Sequence, residues 1–151
     1  MRSKVLFTTL VSGIVLSVSA ANADQVASGN NFTVNATAAA CTSNADCKID
    51  LRLEAKGDFH VNKEYPYKFK ATAANGVTFL GKDGAGVDTF SKAAGDFTLD
   101  AGNEKVGTMT IKFKPANKGA VTIGGVFKLS VCSAQNCQLE TANVSIPVTV
   151  R

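Results

Sequence analysis

Tryptophan is absent from the 151 residues, and histidine occurs once, as His60. Without tryptophan the chain lacks the buried indole of antibody-type domains, and its cysteine spacing does not suit an inter-sheet bridge. A single histidine excludes a His-rich metal motif, and no glycine-rich phosphate loop stands at a strand–helix junction. After the first 23 residues no stretch of ten or more carries apolar residues at helical spacing. Lysine and arginine are scattered, with no basic run interleaved with aromatics, so nucleic-acid binding has no support.

What is present begins with an address. Arg2 and Lys4 precede an apolar run over residues 5–18, and Ala21-Asn22-Ala23 has the small–any–small pattern of a cleavage site. The expected signal peptide is residues 1–23, with a cut after Ala21 as the next choice. The apolar run is short for a membrane span, so the processed protein is expected not to be membrane-embedded. Taking 23 residues from 151 leaves 128, enough for one domain, residues 24–151, with its own core. Losing Arg2 and Lys4 leaves 14 basic against 12 acidic residues, a net charge of +2. A periplasmic or secreted location follows from the leader.

Most of the domain reads at period two. Residues 32–38 alternate weakly. Ile49, Leu51 and Leu53 alternate with Asp50, Arg52 and Glu54, a strand with one wet face. Tyr67, Phe69 and Ala71 follow Pro66, which suits the start of a strand. Met109, Ile111 and Phe113 alternate with Thr110, Lys112 and Lys114 ahead of a turn at 115–119. Short apolar runs at 59–61, 77–80 and 97–99 add further candidates. Residues 24–31 are polar and read as loose, residues 81–95 as the longest flexible stretch, and Gly124-Gly125 as a kink. Seven or eight short strands separated by turns predict an all-β antiparallel sandwich.

The stretch Phe127–Val148 organises the rest. Phe127, Leu129 and Val131 alternate with Lys128 and Ser130, and Val144, Ile146 and Val148 resume the pattern beyond a gap. Between them Cys132 and Cys137 flank Ser-Ala-Gln-Asn, a hairpin-loop composition. Residues flanking such a loop face each other at Cα separations of about 4.5–5.5 Å, within reach of a disulfide. The other two cysteines, Cys41 and Cys47, enclose a polar loop of their own. In an oxidising compartment an even count in close pairs predicts two local bonds, 41–47 and 132–137. A four-cysteine zinc site is the competing reading, although neither pair has the usual two-residue spacing. A disulfide closing so small a loop contributes only about 2 kcal/mol through chain entropy. Such a bond fixes a local loop, or it is there to be opened. His60 likewise has two readings, a packed or surface side chain or the partner of a cysteine.

The Val131-Cys132…Cys137 pattern on the last hairpin of an all-β exported domain resembles the amino-terminal periplasmic domain of the thiol:disulfide interchange protein D family. The run Gly57-Asp58-Phe59-His60-Val61-Asn62-Lys63-Glu64-Tyr65-Pro66 is similar to that family's aromatic strand leading into a proline-containing one. The resemblance spans roughly residues 49–150. It implies an immunoglobulin-like fold in which Cys132 and Cys137 are the redox pair, with Phe59 and His60 in the surround of that site. It also implies thiol:disulfide exchange with a membrane thiol reductase or a periplasmic thioredoxin-like protein, with Cys137 as the attacking sulfur. No cofactor is called for, because the bond itself reacts. Cys41 and Cys47 have no counterpart in that family and, from the place of their loop near the poorly patterned start of the domain, read as a structural bond. Where the family carries prolines after its second cysteine, this chain has Gln138-Leu139-Glu140. The alternative is an immunoglobulin-like binding or structural module with two inert disulfides.

Overall fold

Alternation dictates the frame. In Cys47–Ala55 every odd residue is buried, with Ile49, Leu51 and Leu53 fully so, while Lys48, Asp50, Arg52 and Glu54 turn to the other face. The computed structural model describes residues 23–151, so the expected signal peptide lies outside the described residues apart from Ala23. The described residues form eleven strands and no helix: β1 Asp24–Ser28, β2 Phe32–Ala38, β3 Cys47–Ala55, β4 His60–Val61, β5 Lys68–Ala71, β6 Val77–Phe79, β7 Thr89–Ser91, β8 Phe97–Leu99, β9 Val106–Pro115, β10 Gly119–Cys132 and β11 Cys137–Val150. The number exceeds seven or eight because two- and three-residue pairings such as β4 and β7 join the long strands.

Two antiparallel sheets result. One runs β1-β2-β3-β9-β6, with β8 also on β9; the other runs β11-β10-β5-β7, with β4 also on β10. They face each other as an immunoglobulin-like antiparallel sandwich. Val34, Ile49, Leu51, Met109 and Ile111 meet Phe69, Ile123, Phe127, Leu129 and Val131 in one core cluster. Each large apolar side chain removed from water there is worth about 1.5–3 kcal/mol. Tyr67 and Phe97 stack at 3.9 Å between ring centroids at the centre.

Three segments differ from their sequence reading. Residues 24–28 are not loose: they pair with β2, Asp24 opposite Ala36 and Ser28 opposite Thr33, with a bulge between Gln25 and Ala27. An edge strand exposed along most of its length needs few apolar residues, so its sequence looks like a loop. Residues 81–95 are not uniformly flexible either, since Phe90 in β7 is 1% exposed and packs against Phe69 and Phe79. Gly124 and Gly125 make no break, because β10 runs unbroken from Gly119 to Cys132. Gly125 is glycine because a Cβ there would fall inside the Phe69 ring and against the Lys70 carbonyl.

Candidate functional site

The β10–β11 hairpin closes through a hydrogen bond from the Ser133 amide to the Asn136 carbonyl at 2.8 Å. The Ser133 hydroxyl then accepts from the amides of Gln135 and Asn136, at 3.2 and 3.3 Å, and orders the tip. Cys132 and Cys137 are therefore the next pair along the ladder, at the non-hydrogen-bonded position where antiparallel strands come nearest. Their Cα atoms are 3.9 Å apart and the sulfurs are bonded. Cys132 is 6% exposed, whereas Cys137 is exposed.

On its other side β10 carries β4, which sets His60 opposite Cys132 and Val61 opposite Val131. Residues directly opposite in an antiparallel pair share a face. His60, Cys132 and Cys137 thus form one row on the outer face of the sheet, the juxtaposition that sequence could not supply. His60 is half-buried. Phe59, the neighbour of His60 before β4, is half-buried too and packs against the core. Phe90, in the glycine-rich stretch, is two strands across from β11's partner pair and belongs to the core near Phe69, away from Cys132.

The strand behind this row is firmly held. Ser130 is fully buried. Its hydroxyl interacts with Asn62 Nδ2 at 3.2 Å, and its carbonyl accepts from the Asn62 amide at 3.1 Å and from the Tyr67 hydroxyl at 2.6 Å. Burial pushes the Tyr67 hydroxyl well above the ordinary tyrosine range, so it stays a neutral donor. Asn31 Nδ2, from the turn between β1 and β2, donates to Gln138 Oε1 at 2.7 Å. The hairpin is thereby tied to both sheets.

The second bond joins Cys41, 2% exposed, to Cys47, 4% exposed, with Cα atoms 5.3 Å apart. Its loop is laced to the far end of the sandwich. Cys41 bridges Val150, the Arg151 amide donates to the Cys41 carbonyl, the Ser43 amide to the Arg151 carbonyl, and the Asn44 amide to the Pro115 carbonyl. All four cysteines are consumed in these bonds, which leaves none for a zinc site. The pairing is that expected from separation along the chain.

No family model matches the chain, and no curated protein does. Among solved structures, the GAE domain of yeast GGA1 is similar at a TM-score of 0.48 and 8% identity, over 84% of this chain and 100% of that one. AggA, the major subunit of aggregative adherence fimbriae type I from Escherichia coli, gives 0.36 and 12% over 81% and 97%. A PapD-like (ASH) domain of human CEP192 gives 0.30 and 13% over 91% and 94%. These are likenesses of fold alone, and the sandwich itself is defined by its two sheets and their register.

Two further features escaped the sequence reading. An open cleft of about 790 Å³ lies where the edges of β6 and β7 part, lined by Ala71, Val77, Phe79, Val87 and Asp88 among others. A groove of about 370 Å³ crosses the outer face of the β10 sheet between Lys68, Lys70, Thr89, Val126 and Lys128. Alternation put Lys128 on a polar face, but only the register brings it together with Lys68 and Lys70.

Proposed function

We propose that the chain is an exported immunoglobulin-like binding module whose two disulfides are structural. The observation that carries this reading is their placement against the two ends of β11, the fourteen-residue edge strand. Cys137 begins that strand and is bonded to Cys132, while Cys41, bonded to Cys47, bridges Val150 at its end. A long edge strand frays from its ends and is open to unwanted pairing. The hairpin bond closes one end covalently, and the 41–47 bond fixes the loop whose backbone pairs with the other end, each worth about 2 kcal/mol and acting locally. The test uses Cys132→Ser and Cys137→Ser, each made singly in the full chain and exported. The module reading expects no mixed disulfide with a thioredoxin-like protein on non-reducing electrophoresis, and a captured partner would contradict it.

A second reading is thiol:disulfide exchange at Cys132–Cys137, as the resemblance to the interchange protein D family implies. What favours it is the exposure of Cys137 and the position of His60 opposite Cys132. A partner thiolate would attack one sulfur, release the other as a thiolate and form a mixed disulfide. The partner's second thiol would then resolve it, leaving the partner oxidised and this pair reduced. A periplasmic thioredoxin-like protein or a membrane thiol reductase would be the partner.

A further inference from the structure

The two outer faces of the sandwich treat charge differently. On β3 and β9, Lys48 pairs with Asp50 at 3.0 Å, Arg52 pairs with Glu54, and Lys114 pairs with Asp46 at 3.2 Å. Asp50 also accepts from the Thr110 hydroxyl at 2.8 Å. Those three ion pairs are all on that side among the described residues. The other face has no carboxylate at any outward position of its five strands. Its outward residues include Lys68 and Lys70 on β5, Thr89 and Ser91 on β7, Val126 and Lys128 on β10, and Leu139, Thr141 and Asn143 on β11. Lys68 stands directly opposite Lys128 in the ladder, and Lys70 opposite Val126. Like charges directly opposed across a sheet are destabilising, and neither Lys68 nor Lys128 is in an ion pair among the described residues.

We infer that this face is a docking surface for an extended acidic segment of a partner protein, with carboxylates two residues apart. The spacing argues for a polypeptide. Lys68 and Lys70 are two residues apart on one strand, so their stems leave the sheet about 6.4–6.8 Å apart. Acidic side chains at alternate positions of an extended chain repeat at that same distance. Lys128 adds a third ammonium one strand away, and the groove between the stems has Val126 at its side. Leu139, 71% exposed, is the one large apolar side chain standing in water among the described residues. Thr141 is the ladder partner of Lys128, so Leu139 lies on the diagonal, about 7–8 Å from Lys128. The segment that fits this face carries alternating acids and an apolar residue beside them.

This inference rests on the module reading, whose own test concerns captured disulfides. Peptide binding is measured on the fully oxidised protein, so the two fail separately. The probe is a ten-residue peptide with Glu at alternate positions, Thr between them and one terminal Leu. It is compared by titration calorimetry with an isomer carrying the same Glu in one block, with inorganic phosphate, and with phosphatidylglycerol vesicles. The alternating peptide is expected to bind best, and Lys68→Gln/Lys70→Gln/Lys128→Gln to weaken it about tenfold, the scale of three exposed ion pairs. The same change on the opposite face, Lys48→Gln/Lys112→Gln/Lys114→Gln, is expected to leave binding within about twofold, and Leu139→Ser to lower the affinity of the alternating peptide but not that of a version with Ser in place of its Leu. Absence of peptide binding, equal loss from both lysine sets, equal binding of the block isomer, or binding of phosphate or vesicles in place of the peptide would each overturn it.

Discussion

The two disulfides close loops of nearly equal size, with cysteines six and five residues apart, in unlike surroundings. Cys41–Cys47 is buried on both sides and sits where the end of β11 meets β3 and β9. Cys132–Cys137 has one buried and one exposed partner at a hairpin tip that backbone and hydroxyl hydrogen bonds already close. Loop length alone would make the bonds equivalent. Their difference lies in what else would be lost with each. The first bond is part of the core and of the joint between sheets. The second is supported from behind by Tyr67, Asn62 and Asn31, so the hairpin has other means of keeping its register.

The largest expected effect breaks the buried end. Cys41→Ala/Cys47→Ala removes about 2 kcal/mol of loop restraint and two buried sulfurs, for a total loss of about 3–4 kcal/mol in denaturant unfolding. Cys132→Ser/Cys137→Ser is expected to cost about 2 kcal/mol or less by the same measurement. Equal losses would mean that the surroundings do not distinguish the bonds.

Tyr67→Phe sharpens the comparison from behind the hairpin. It removes the 2.6 Å hydrogen bond to the Ser130 carbonyl and is expected to cost about 1 kcal/mol at neutral pH. Its pH dependence has a definite sign. The hydroxyl is raised above its ordinary value of 10.0 in the folded protein, first by burial. The stability it contributes is therefore complete below about pH 10 and falls above it, as the unfolded chain ionises first. Wild type is expected to lose stability relative to Tyr67→Phe between about pH 10 and pH 11, followed by denaturant titration at each pH. The smallest effect is His60→Gln, expected to shift stability by no more than about 0.5 kcal/mol, because the ring is only half-buried and lies outside the core cluster.

Much of this architecture is legible in the sequence, and the boundary of legibility has physical causes. Strands buried on one face announce themselves, as Ile49, Leu51 and Leu53 do, and as Phe127, Leu129 and Val131 do. The edge strand Asp24–Ser28 does not, since it buries little, and Thr89–Ser91 is marked by Phe90 alone within a glycine-rich stretch. The disulfide partners were readable because each pair is local. The row formed by His60 and Cys132, and the cluster of Lys68, Lys70 and Lys128, depend on pairing between segments more than fifty residues apart. Alternation assigns such residues to a face, but it carries no information about which strand lies beside which.

Whether both bonds are structural, as proposed, is read from their reduction potentials. The oxidised protein is equilibrated in graded glutathione and dithiothreitol buffers, free thiols are alkylated, and each cysteine pair is followed by peptide mass spectrometry. Both 41–47 and 132–137 are expected to stay oxidised down to potentials below about −300 mV, the range of structural disulfides in secreted proteins. If Cys132–Cys137 opens well above that potential while Cys41–Cys47 stays closed, the hairpin bond is built for exchange and is not structural.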